Sequence, residues 1–342
     1  MIQYPRPLCP GDTIAVTAPS FGVGVNGHAR LDIVIEHLRS QGYQVIEGNC
    51  VRGNRKGASA PAEERAAELM RFLSDDQISA VFPPCGGELA IQILPFLDFE
   101  KLATLPPKWM LGFSDISTIL TPLTLLSGWA TAHGPNLMGL PPNQTDPLTL
   151  KAMCVLQTKS GSTIEQYSSA LHQVPDYTTI PISYLSTETT WKVFGAKPAT
   201  EVRMKGRLIG GCLDRITRLA GTKYGNIPAF VTENKMDGVI LYLENGGLRP
   251  GELARAMMGI KMNGWFDSLA GVLVGRNSGQ DAGSDEELSY LDVLRSTLSG
   301  LSCPILVDVD IGHMAPQLTL INGAVAEVAV VNGAAVISQE FS

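Results

Sequence analysis

The sequence has no run of basic residues and no uncharged apolar window of about 18 residues, the length that a membrane helix needs. Its 26 Lys and Arg residues against 33 Asp and Glu residues give a formal net charge of -7. Nucleic acid is not an expected partner, because its binding needs a basic face or stripe. Without a membrane span or the apolar segment of a signal peptide, we expect a cytoplasmic protein that does not interact with membranes.

Close cysteine pairs are also missing. The six cysteines are scattered and none stands at C-x-x-C spacing: Cys9, Cys50, Cys85, Cys154, Cys212 and Cys303. Since zinc sites usually show close ligand pairs, and no His-Glu cluster has a metal-binding spacing, the sequence predicts free thiols and no metal. Gly210 and Gly211 precede a predicted helix but fit neither the P-loop nor the G-x-G-x-x-G pattern, so no nucleotide cofactor is predicted.

The first half of the sequence alternates β-prone and helical segments. Apolar runs at 13–18, 43–46 and 78–82 predict strands, and the amphipathic segments between them predict helices. This order predicts an α/β fold with a parallel sheet covered on both faces. In such a sheet, the ligand site lies beyond the carboxyl ends of the strands.

A polar segment near the middle of the chain separates two halves. It is dense in Ser, Thr, Pro and Gly and has weak periodicity, which is typical of an interdomain connection. A chain of 342 residues is long enough for two cores. We therefore expect an N-terminal α/β domain at 1–165, a connecting segment at 166–200 and a C-terminal domain at 201–342.

The second half again alternates strands and helices and ends in turn signals. Strands are predicted at 238–243, 269–274 and 304–309. Asn-Gly pairs follow at 322–323 and 332–333 between apolar stretches. Such a pair is the strongest two-residue hairpin signal, so the sequence predicts two hairpins here.

The stretch at 108–120 is the first candidate for catalysis. A short apolar run ends at Gly112 and meets Ser114 and Asp115, which open an amphipathic helical run. In a strand, turn and helix of this kind, Ser114 stands at the turn with its hydroxyl exposed beside the N–H groups of the helix N-terminus, which suits a nucleophile. Alternatively, Ser114 caps the helix, because Ser and Asp are preferred N-caps.

A pair of glycines follows the strand predicted at 78–82. Gly86 and Gly87 would let the backbone approach a ligand closely and turn its N–H groups outward. An oxyanion needs two such donors near the attacked carbonyl. A structural turn is the alternative interpretation.

Other strand ends carry acid–base candidates. Glu244 ends a buried apolar run, where a carboxylate is costly unless it is paired, and His313 follows the strand predicted at 304–309. With Ser114 they give the order Ser, acid, His, in which an imidazole takes the hydroxyl proton and a carboxylate fixes its tautomer. A structural role is open for His313, and for His133 a structural or substrate-lining role is favoured over that of a base.

Two residues are candidates for substrate contacts. Arg276 ends a predicted strand and could hold a substrate carboxylate by a bidentate contact, or form an interdomain salt bridge. Trp191 lies in the polar middle segment. A Trp there usually serves packing, but one near a cleft could stack on a planar ligand.

Motifs over nearly the whole length together resemble one known family. In chain order they are Pro10-Gly11-Asp12, Ala18-Pro19-Ser20, Gly86-Gly87, Ile93-Leu94-Pro95-Phe96-Leu97-Asp98, Gly112-Phe113-Ser114-Asp115, His133-Gly134-Pro135, Gly206-Arg207-Leu208-Ile209-Gly210-Gly211, Leu243-Glu244, Gly275-Arg276 and Gly312-His313. The chain resembles the LD-carboxypeptidase family of serine peptidases, which includes the microcin C self-immunity proteins. The resemblance implies an N-terminal domain with a flavodoxin-like or amidotransferase-like sheet, a smaller C-terminal α/β domain with barrel-like strands, and a homodimer that needs no metal.

The resemblance also assigns roles by position. It makes Ser114 the nucleophile, Glu244 the acid and His313 the base. The oxyanion donors would be backbone N–H groups of the Gly86-Gly87 turn and of Asp115.

The residues around the glycine pair favour one branch of the family. The peptidoglycan-recycling branch often has an Arg before the pair and a Tyr after it, where this chain has Cys85 and Glu88. The chain is more similar to the microcin-immunity branch, with Glu88 as a substrate contact and Trp191 as the match to a Trp that stacks on adenine. Cys212 departs from the Asn that the family often has there.

The resemblance thus implies a serine hydrolase that cleaves an amide of a small peptidyl- or aminoacyl-nucleotide. Removal of the terminal D-Ala from murein tetrapeptide is the alternative reaction. A protein that sequesters a ligand without chemistry is the alternative from another class.

Overall fold

The computed structural model describes residues 1–142, 146–172, 185–195, 201–331 and 334–341. The contacts within the chain divide it into two compact units. Unit 1 comprises Met1–Thr163, Thr319–Gly323 and Phe341–Ser342, and unit 2 comprises Ile164–Leu318 and Ala324–Glu340.

Strands and helices alternate through most of the described chain. The strands are β1 Thr13–Val16, β2 Gln44–Glu47, β3 Ile78–Phe82, β4 Trp109–Gly112, β5 Thr131–His133, β6 Thr163–Tyr167, β7 Leu171–His172, β8 Thr187–Glu188, β9 Lys192–Val193, β10 Val202–Cys212, β11 Val239–Glu244, β12 Gly271–Gly275, β13 Ile305–Val309, β14 Leu320–Asn322, β15 Val325–Val331 and β16 Ala334–Glu340. The helices are α1 His28–Ser40, α2 Ala62–Ser74, α3 Phe99–Ala103, α4 Ser117–Ser127, α5 Pro147–Leu156, α6 Leu213–Ile216, α7 Ile227–Glu233, α8 Pro250–Met262 and α9 Tyr290–Leu298. None of the helices in the described ranges is long and apolar enough to cross a bilayer.

Unit 1 is built on a six-stranded sheet in the order β14-β5-β4-β3-β1-β2. The strands β1 to β5 pair in parallel, whereas β14 runs antiparallel to β5. The order 2-1-3-4-5 is that of a flavodoxin-like sheet, whose ligands bind beyond the carboxyl ends of the strands near the β1/β3 switch point. This confirms the α/β class and the parallel sheet predicted for the first half.

The core of unit 1 explains why its central strand β4 is an apolar run in the sequence. All four residues of β4 are buried, and Trp109 on this strand has no exposed surface. Strands that are covered on both faces are apolar on both sides, so they show no alternation. The covering helix α4 is likewise buried along nearly its whole length.

Unit 2 contains an eight-stranded mixed sheet in the order β6-β16-β15-β10-β11-β12-β13-β9. Its central strands β10 to β13 are parallel, and β15 pairs antiparallel with β10. All six residues of β11 are buried, including Glu244 at its end. The carboxyl ends of the parallel strands therefore present Cys212, Glu244 and the loops after β12 and β13.

The hairpin predicted at 322–323 is wrong. The strand before the Asn-Gly pair, β14, pairs with β5 in unit 1, and the strand after it, β15, pairs with β10 in unit 2. The buried side chain of Asn322 donates to Thr131 Oγ1 at 3.0 Å, which fixes β14 on β5. The turn therefore connects two sheets. The second predicted hairpin agrees with the antiparallel pairing of β15 and β16, although residues 332–333 themselves lie outside the described ranges.

Candidate active site

Ser114 lies directly after β4, in a backbone conformation that few residues other than glycine adopt. Its φ is +61°, and it opens a short 3₁₀ helix, Ser114–Ile116, which leads into α4. An N-cap residue has an extended backbone, so this conformation does not fit the cap interpretation. A serine held in a strained turn between a strand and a helix is the geometry that exposes a nucleophilic hydroxyl.

The turn after β3 packs directly against Ser114. A Cβ atom at Gly86 would lie 2.9 Å from Ser114 Oγ and 3.3 Å from the Asp115 backbone nitrogen. Contacts this short leave room only for glycine. The structure therefore brings together the strand ends that carry Gly86 and Ser114.

Gly87 is required for a different reason. Its φ is +150°, and a Cβ atom there would lie 2.2 Å from Ser20 Oγ. Glu88 follows on the surface as an exposed side chain. The turn thus combines two sterically required glycines with an exposed carboxylate.

The carboxylate of Asp115 is part of the scaffold. It is buried, and its Oδ2 accepts hydrogen bonds from Ser20 Oγ at 2.5 Å and from the Ala90 backbone nitrogen at 2.8 Å. These bonds tie the serine turn to the segment after β1 and to the 3₁₀ helix Ala90–Phe96. The carboxylate therefore holds the turn, which leaves the backbone N–H of Asp115 as the group that could serve catalysis.

His133 lies at the end of β5 and is buried within unit 1. Its Nδ1 lies 3.4 Å from Ser117 Oγ, and its ring packs edge-on against Phe113 with the ring centroids 6.4 Å apart. Gly112 and Leu320 flank it on the neighbouring strands. These contacts favour the structural interpretation of His133 over that of a base.

In unit 2, His313 and Glu244 form a hydrogen-bonded pair. His313 Nδ1 lies 2.8 Å from Glu244 Oε2, and the Glu244 side chain is fully buried while that of His313 is 26% exposed. With Glu244 as a carboxylate, Nδ1 is the donor, and this leaves Nε2 as the nitrogen that can accept a proton. The two residues predicted as acid and base, Glu244 and His313, are therefore in direct contact.

Two glycines make room for this pair. Gly312 has a φ of +96°, and a Cβ atom there would lie 2.3 Å from Glu244 Oε2. Gly246 stands against the imidazole, since its Cβ would lie 2.7 Å from His313 Cε1. The sequence signal for this packing was the Gly312-His313 pair, whereas nothing local marked Gly246.

The charge of Glu244 sets the proton affinity of His313. Burial by itself lowers the pKa of His313, but the charge and hydrogen bond of Glu244, with a further contribution from Asp214, outweigh it and raise the pKa above its ordinary value of 6.5. Arg215 acts in the opposite direction. A stabilised imidazolium is what a base that must take a proton from a hydroxyl requires.

Cys212 is a neighbour of the Glu–His pair, although its position in the sequence gives no indication of this contact. It ends β10 in register with Glu244 on β11, and its sulfur, a Glu244 oxygen and a His313 nitrogen all lie within 4.8 Å of one another. Burial, followed by the charges of Glu244 and Asp214, raises the pKa of the Cys212 thiol well above its ordinary value. Adjacent strand ends were the available signal, but pairing of β10 with β11 had to be known to use it.

Arg276 is engaged in the interior of unit 2. Its Nη1 donates to Asp310 Oδ1 at 2.6 Å, and its Nη2 donates to the carbonyl oxygens of Met314 at 2.9 Å and Pro316 at 2.7 Å. Both charged side chains are buried, at 3% and 0% exposure. Because Arg276 and Asp310 belong to the same unit, this ion pair is not the interdomain salt bridge considered as an alternative.

Trp191 is anchored to the same carboxylate. Its ring is buried, and its Nε1 donates to Asp310 Oδ2 at 2.8 Å. Ser169 also donates to Asp310, through its backbone nitrogen at 3.1 Å and its hydroxyl at 2.6 Å. In this structure, the faces of the Trp191 ring are used in packing.

The sheets of the two units identify the chain as an α/β protein that combines a flavodoxin-like sheet with a mixed sheet. Comparison with known proteins then gives the family. The LD-carboxypeptidase N-terminal domain matches residues 14–134 and the LD-carboxypeptidase C-terminal domain matches residues 205–328. Together these matches cover more than half of the chain, so the chain belongs to the LD-carboxypeptidase family, and the resemblance seen in its motifs is confirmed.

Individual relatives agree over nearly the full length. The chain is 25% identical over 328 residues to the microcin C7 self-immunity protein MccF of Escherichia coli, with 92% of this chain and 89% of that protein covered. It is 27% identical over 343 residues to a probable murein peptide carboxypeptidase of Bacillus subtilis, with 99% and 95% covered. A solved structure of MccF in complex with glutamyl sulfamoyl guanosine superposes with a TM-score of 0.80 at 22% identity, with 98% of each chain covered, which confirms the fold.

Proposed function

We propose that this chain is a serine hydrolase that cleaves an amide through an acyl-enzyme on Ser114. The observation that carries the proposal is the hydrogen bond of 2.8 Å between His313 Nδ1 and Glu244 Oε2. A buried carboxylate that orients an imidazole and stabilises its cation is the acid–base device that activates a serine hydroxyl. The strained turn at Ser114 supplies a hydroxyl of the matching kind.

In the proposed mechanism, Ser114 Oγ attacks the amide carbonyl while His313 Nε2 takes the hydroxyl proton. The C–N bond then breaks, and His313 returns that proton to the leaving amine. A water molecule attacks the resulting ester, with His313 again removing a proton, and releases the acid and the free Ser114 hydroxyl. The mechanism requires His313 Nε2 to reach Ser114 Oγ and keeps Glu244 ionised throughout.

Backbone N–H groups would stabilise the oxyanion. The turn at Gly86 and Gly87 lies against Ser114, and the Asp115 nitrogen begins the following helical turn. Donors fixed by the backbone need no reorganisation as the charge develops. Each one typically lowers the activation barrier by about 3 to 4 kcal/mol. We assign this role to Gly86, Gly87 and Asp115.

For the substrate, we propose an amide of a small peptidyl- or aminoacyl-nucleotide. The Gly-Gly-Glu form of the turn ending at Glu88 supports it, as does the similarity to the self-immunity protein MccF. Structures of MccF with aminoacyl sulfamoyl nucleotides are consistent with a ligand of this chemistry.

A murein tetrapeptide is the second candidate substrate. It is favoured by the burial of Trp191, whose indole donates to Asp310, because a buried ring has no free face for an adenine. The similarity to the Bacillus subtilis murein peptide carboxypeptidase points in the same direction. Both substrates would use the same acyl-enzyme chemistry.

The test is to incubate the full-length protein with each substrate and to look for an acyl adduct on Ser114 by mass spectrometry. Ser114→Ala should remove the adduct and lower turnover by on the order of 10⁴-fold or more, with an unchanged circular dichroism spectrum. Ser160→Ala, at an exposed serine of unit 1, is the matched control. Stoichiometric binding with no adduct and no turnover would instead identify a sequestering protein. Comparison of kcat/KM for an aminoacyl sulfamoyl adenosine and a murein tetrapeptide decides between the substrates.

A further inference from the structure

One cluster of three potential metal ligands stands out within the described ranges. Cys212 ends β10, Glu244 ends β11 and His313 follows β13, and one ligand atom from each lies within 4.8 Å of the other two. The cluster combines a thiol, a carboxylate and an imidazole. These are the three side-chain types that bind zinc in proteins, and thiolate strongly favours soft or borderline cations.

The geometry is close to that of a tetrahedral site. Ligand atoms about 2.0 to 2.3 Å from a zinc ion are separated from one another by roughly 3.3 to 3.8 Å. Here the Glu244 oxygen and the His313 nitrogen are 2.8 Å apart, and no pair of ligand atoms is separated by more than 4.8 Å. Adjustments of about 1 Å, within the reach of side-chain rotation at Glu244 and His313, would complete three sides of the tetrahedron.

We propose that Cys212, Glu244 and His313 form an inhibitory site for a thiophilic divalent cation, with Zn²⁺ as its representative. The cation takes the place of the proton between His313 and Glu244, and the Cys212 thiol binds it as a thiolate. The imidazole stays neutral, because Nε2 takes a proton from water as Nδ1 gives up its own. The thiol proton passes to the solvent, and a water molecule completes the coordination. Occupation of the site removes the base, so the inhibitory part of this proposal rests on the proposed function, whereas the binding part does not.

Access to the site is from the side of the imidazole. Cys212 and Glu244 are buried, whereas the His313 side chain is 26% exposed. An ion can therefore bind first to His313 and then exchange water for the two buried ligands. A position open to water on one side is also what distinguishes a reversible site from a closed structural one.

The third ligand is what sets this chain apart from the pattern it resembles. Where Asn often stands after the glycine pair, this chain has Cys212. An amide is a weak ligand for zinc, whereas a thiolate is among the strongest that a protein offers. Cation sensitivity is therefore expected to depend on the residue at position 212.

The test uses the full-length protein with Cys9 and Cys154 replaced by Ser, because these two thiols are exposed and would bind metal nonspecifically. Co²⁺ is titrated first, since a bound thiolate gives a charge-transfer absorption that does not depend on activity. One equivalent should produce this band, and added Zn²⁺ should displace it. Cys212→Asn and Cys212→Ser should abolish the band and weaken Zn²⁺ binding by at least about tenfold, because even loss of an outer-shell partner costs 10 to 100-fold.

The second measurement is the ratio of activity with and without Zn²⁺ for each variant. The parent protein should lose activity at one equivalent and regain it with a chelator, whereas Cys212→Asn should need at least about tenfold more zinc. A thiolate band that persists in both Cys212 variants, or equal zinc sensitivity of parent and variants, would overturn the proposal. A protein without any hydrolase activity would fail the proposed function while the cobalt titration still reported on the site.

Discussion

Gly86 lies so close to Ser114 that a methyl group at position 86 would stand 2.9 Å from both Cβ and Oγ of the serine. Gly86 is outside the left-handed region of the backbone, so space alone opposes a side chain there. Ser114 Cβ is not a flexible side-chain end that could give way. The serine turn or the glycine turn must therefore shift when position 86 gains a side chain.

We predict that Gly86→Ala lowers kcat much more than it lowers stability. Overpacking of this kind typically costs about 1 to 3 kcal/mol, which leaves the fold intact, while a displaced hydroxyl and oxyanion donor impair the chemistry. Gly24→Ala is the control, because a Cβ at Gly24 meets nothing within 4 Å. Steady-state kinetics and urea unfolding should be measured side by side. Wild-type kcat in Gly86→Ala would show that the contact does not position the nucleophile.

The carboxylate of Asp115 should be important for stability. Asp115→Ala removes the acceptor for the buried Ala90 N–H, and a buried donor left without a partner costs about 1 to 3 kcal/mol. Ser20→Ala removes only the other donor to the same carboxylate, so its effect should be smaller. Urea unfolding of the two variants gives both values. If both variants lowered the free energy of unfolding equally, the hydrogen bond from the Ala90 N–H would add nothing to stability beyond that from Ser20.

The Glu244–His313 pair predicts a specific pH dependence. The base must be neutral to act, so kcat/KM should rise with pH through the pKa of His313, which Glu244 raises above 6.5 against the effect of burial. In Glu244→Gln, the negative charge that raises the pKa of His313 is lost, while the burial that lowers it remains. The rise of kcat/KM should therefore move to lower pH. Asp214 and Arg215 stay in place and partly offset each other.

The same variant should also lose rate. An amide does not stabilise an imidazolium and can favour the wrong tautomer, so kcat should fall by roughly 10³ to 10⁴-fold. The control is Glu286→Gln, at an exposed glutamate of the same unit. Profiles should be recorded with a chelator present, so that bound cations do not compete with protons. If the rise of kcat/KM with pH stayed at the same pH in Glu244→Gln, a group other than His313 would be responsible for that rise.

The sequence predicted the central strands well because burial on both faces leaves a local signature. β4, β11 and β12 contain continuous apolar runs bounded by glycine or polar residues. By contrast, β14 has three residues and gains its place from pairing with β5 and from the Asn322–Thr131 contact. Such a strand depends on partners far away in the sequence, so the Asn-Gly signal was misread as a hairpin.

The candidate site likewise contains residues that can be proposed from local sequence and contacts that only the fold shows. Ser114 could be proposed from its strand–turn–helix pattern, and His313 from its place after a predicted strand. Glu244 could be proposed because a carboxylate at the end of an apolar strand is costly unless it is paired. The common dependence of Arg276 and Trp191 on Asp310 could not, since it requires the loops after β12 and β13 to meet the segment around Trp191. Sequence alone shows which residues are polar, but only the fold shows which polar groups satisfy each other.

These contacts of Arg276 lead to a prediction that separates structure from substrate binding. Arg276→Met leaves Asp310 buried without its ion-pair partner and two carbonyl groups without their donor, and removal of one partner of a buried pair costs about 3 to 5 kcal/mol. Arg295→Met, at an exposed pair with Asp292, should change stability little. Thermal and urea unfolding measure both. If Arg276→Met instead kept full stability and raised KM alone, Arg276 would be a substrate ligand, as one interpretation of the sequence held, and its bond to Asp310 would be dispensable.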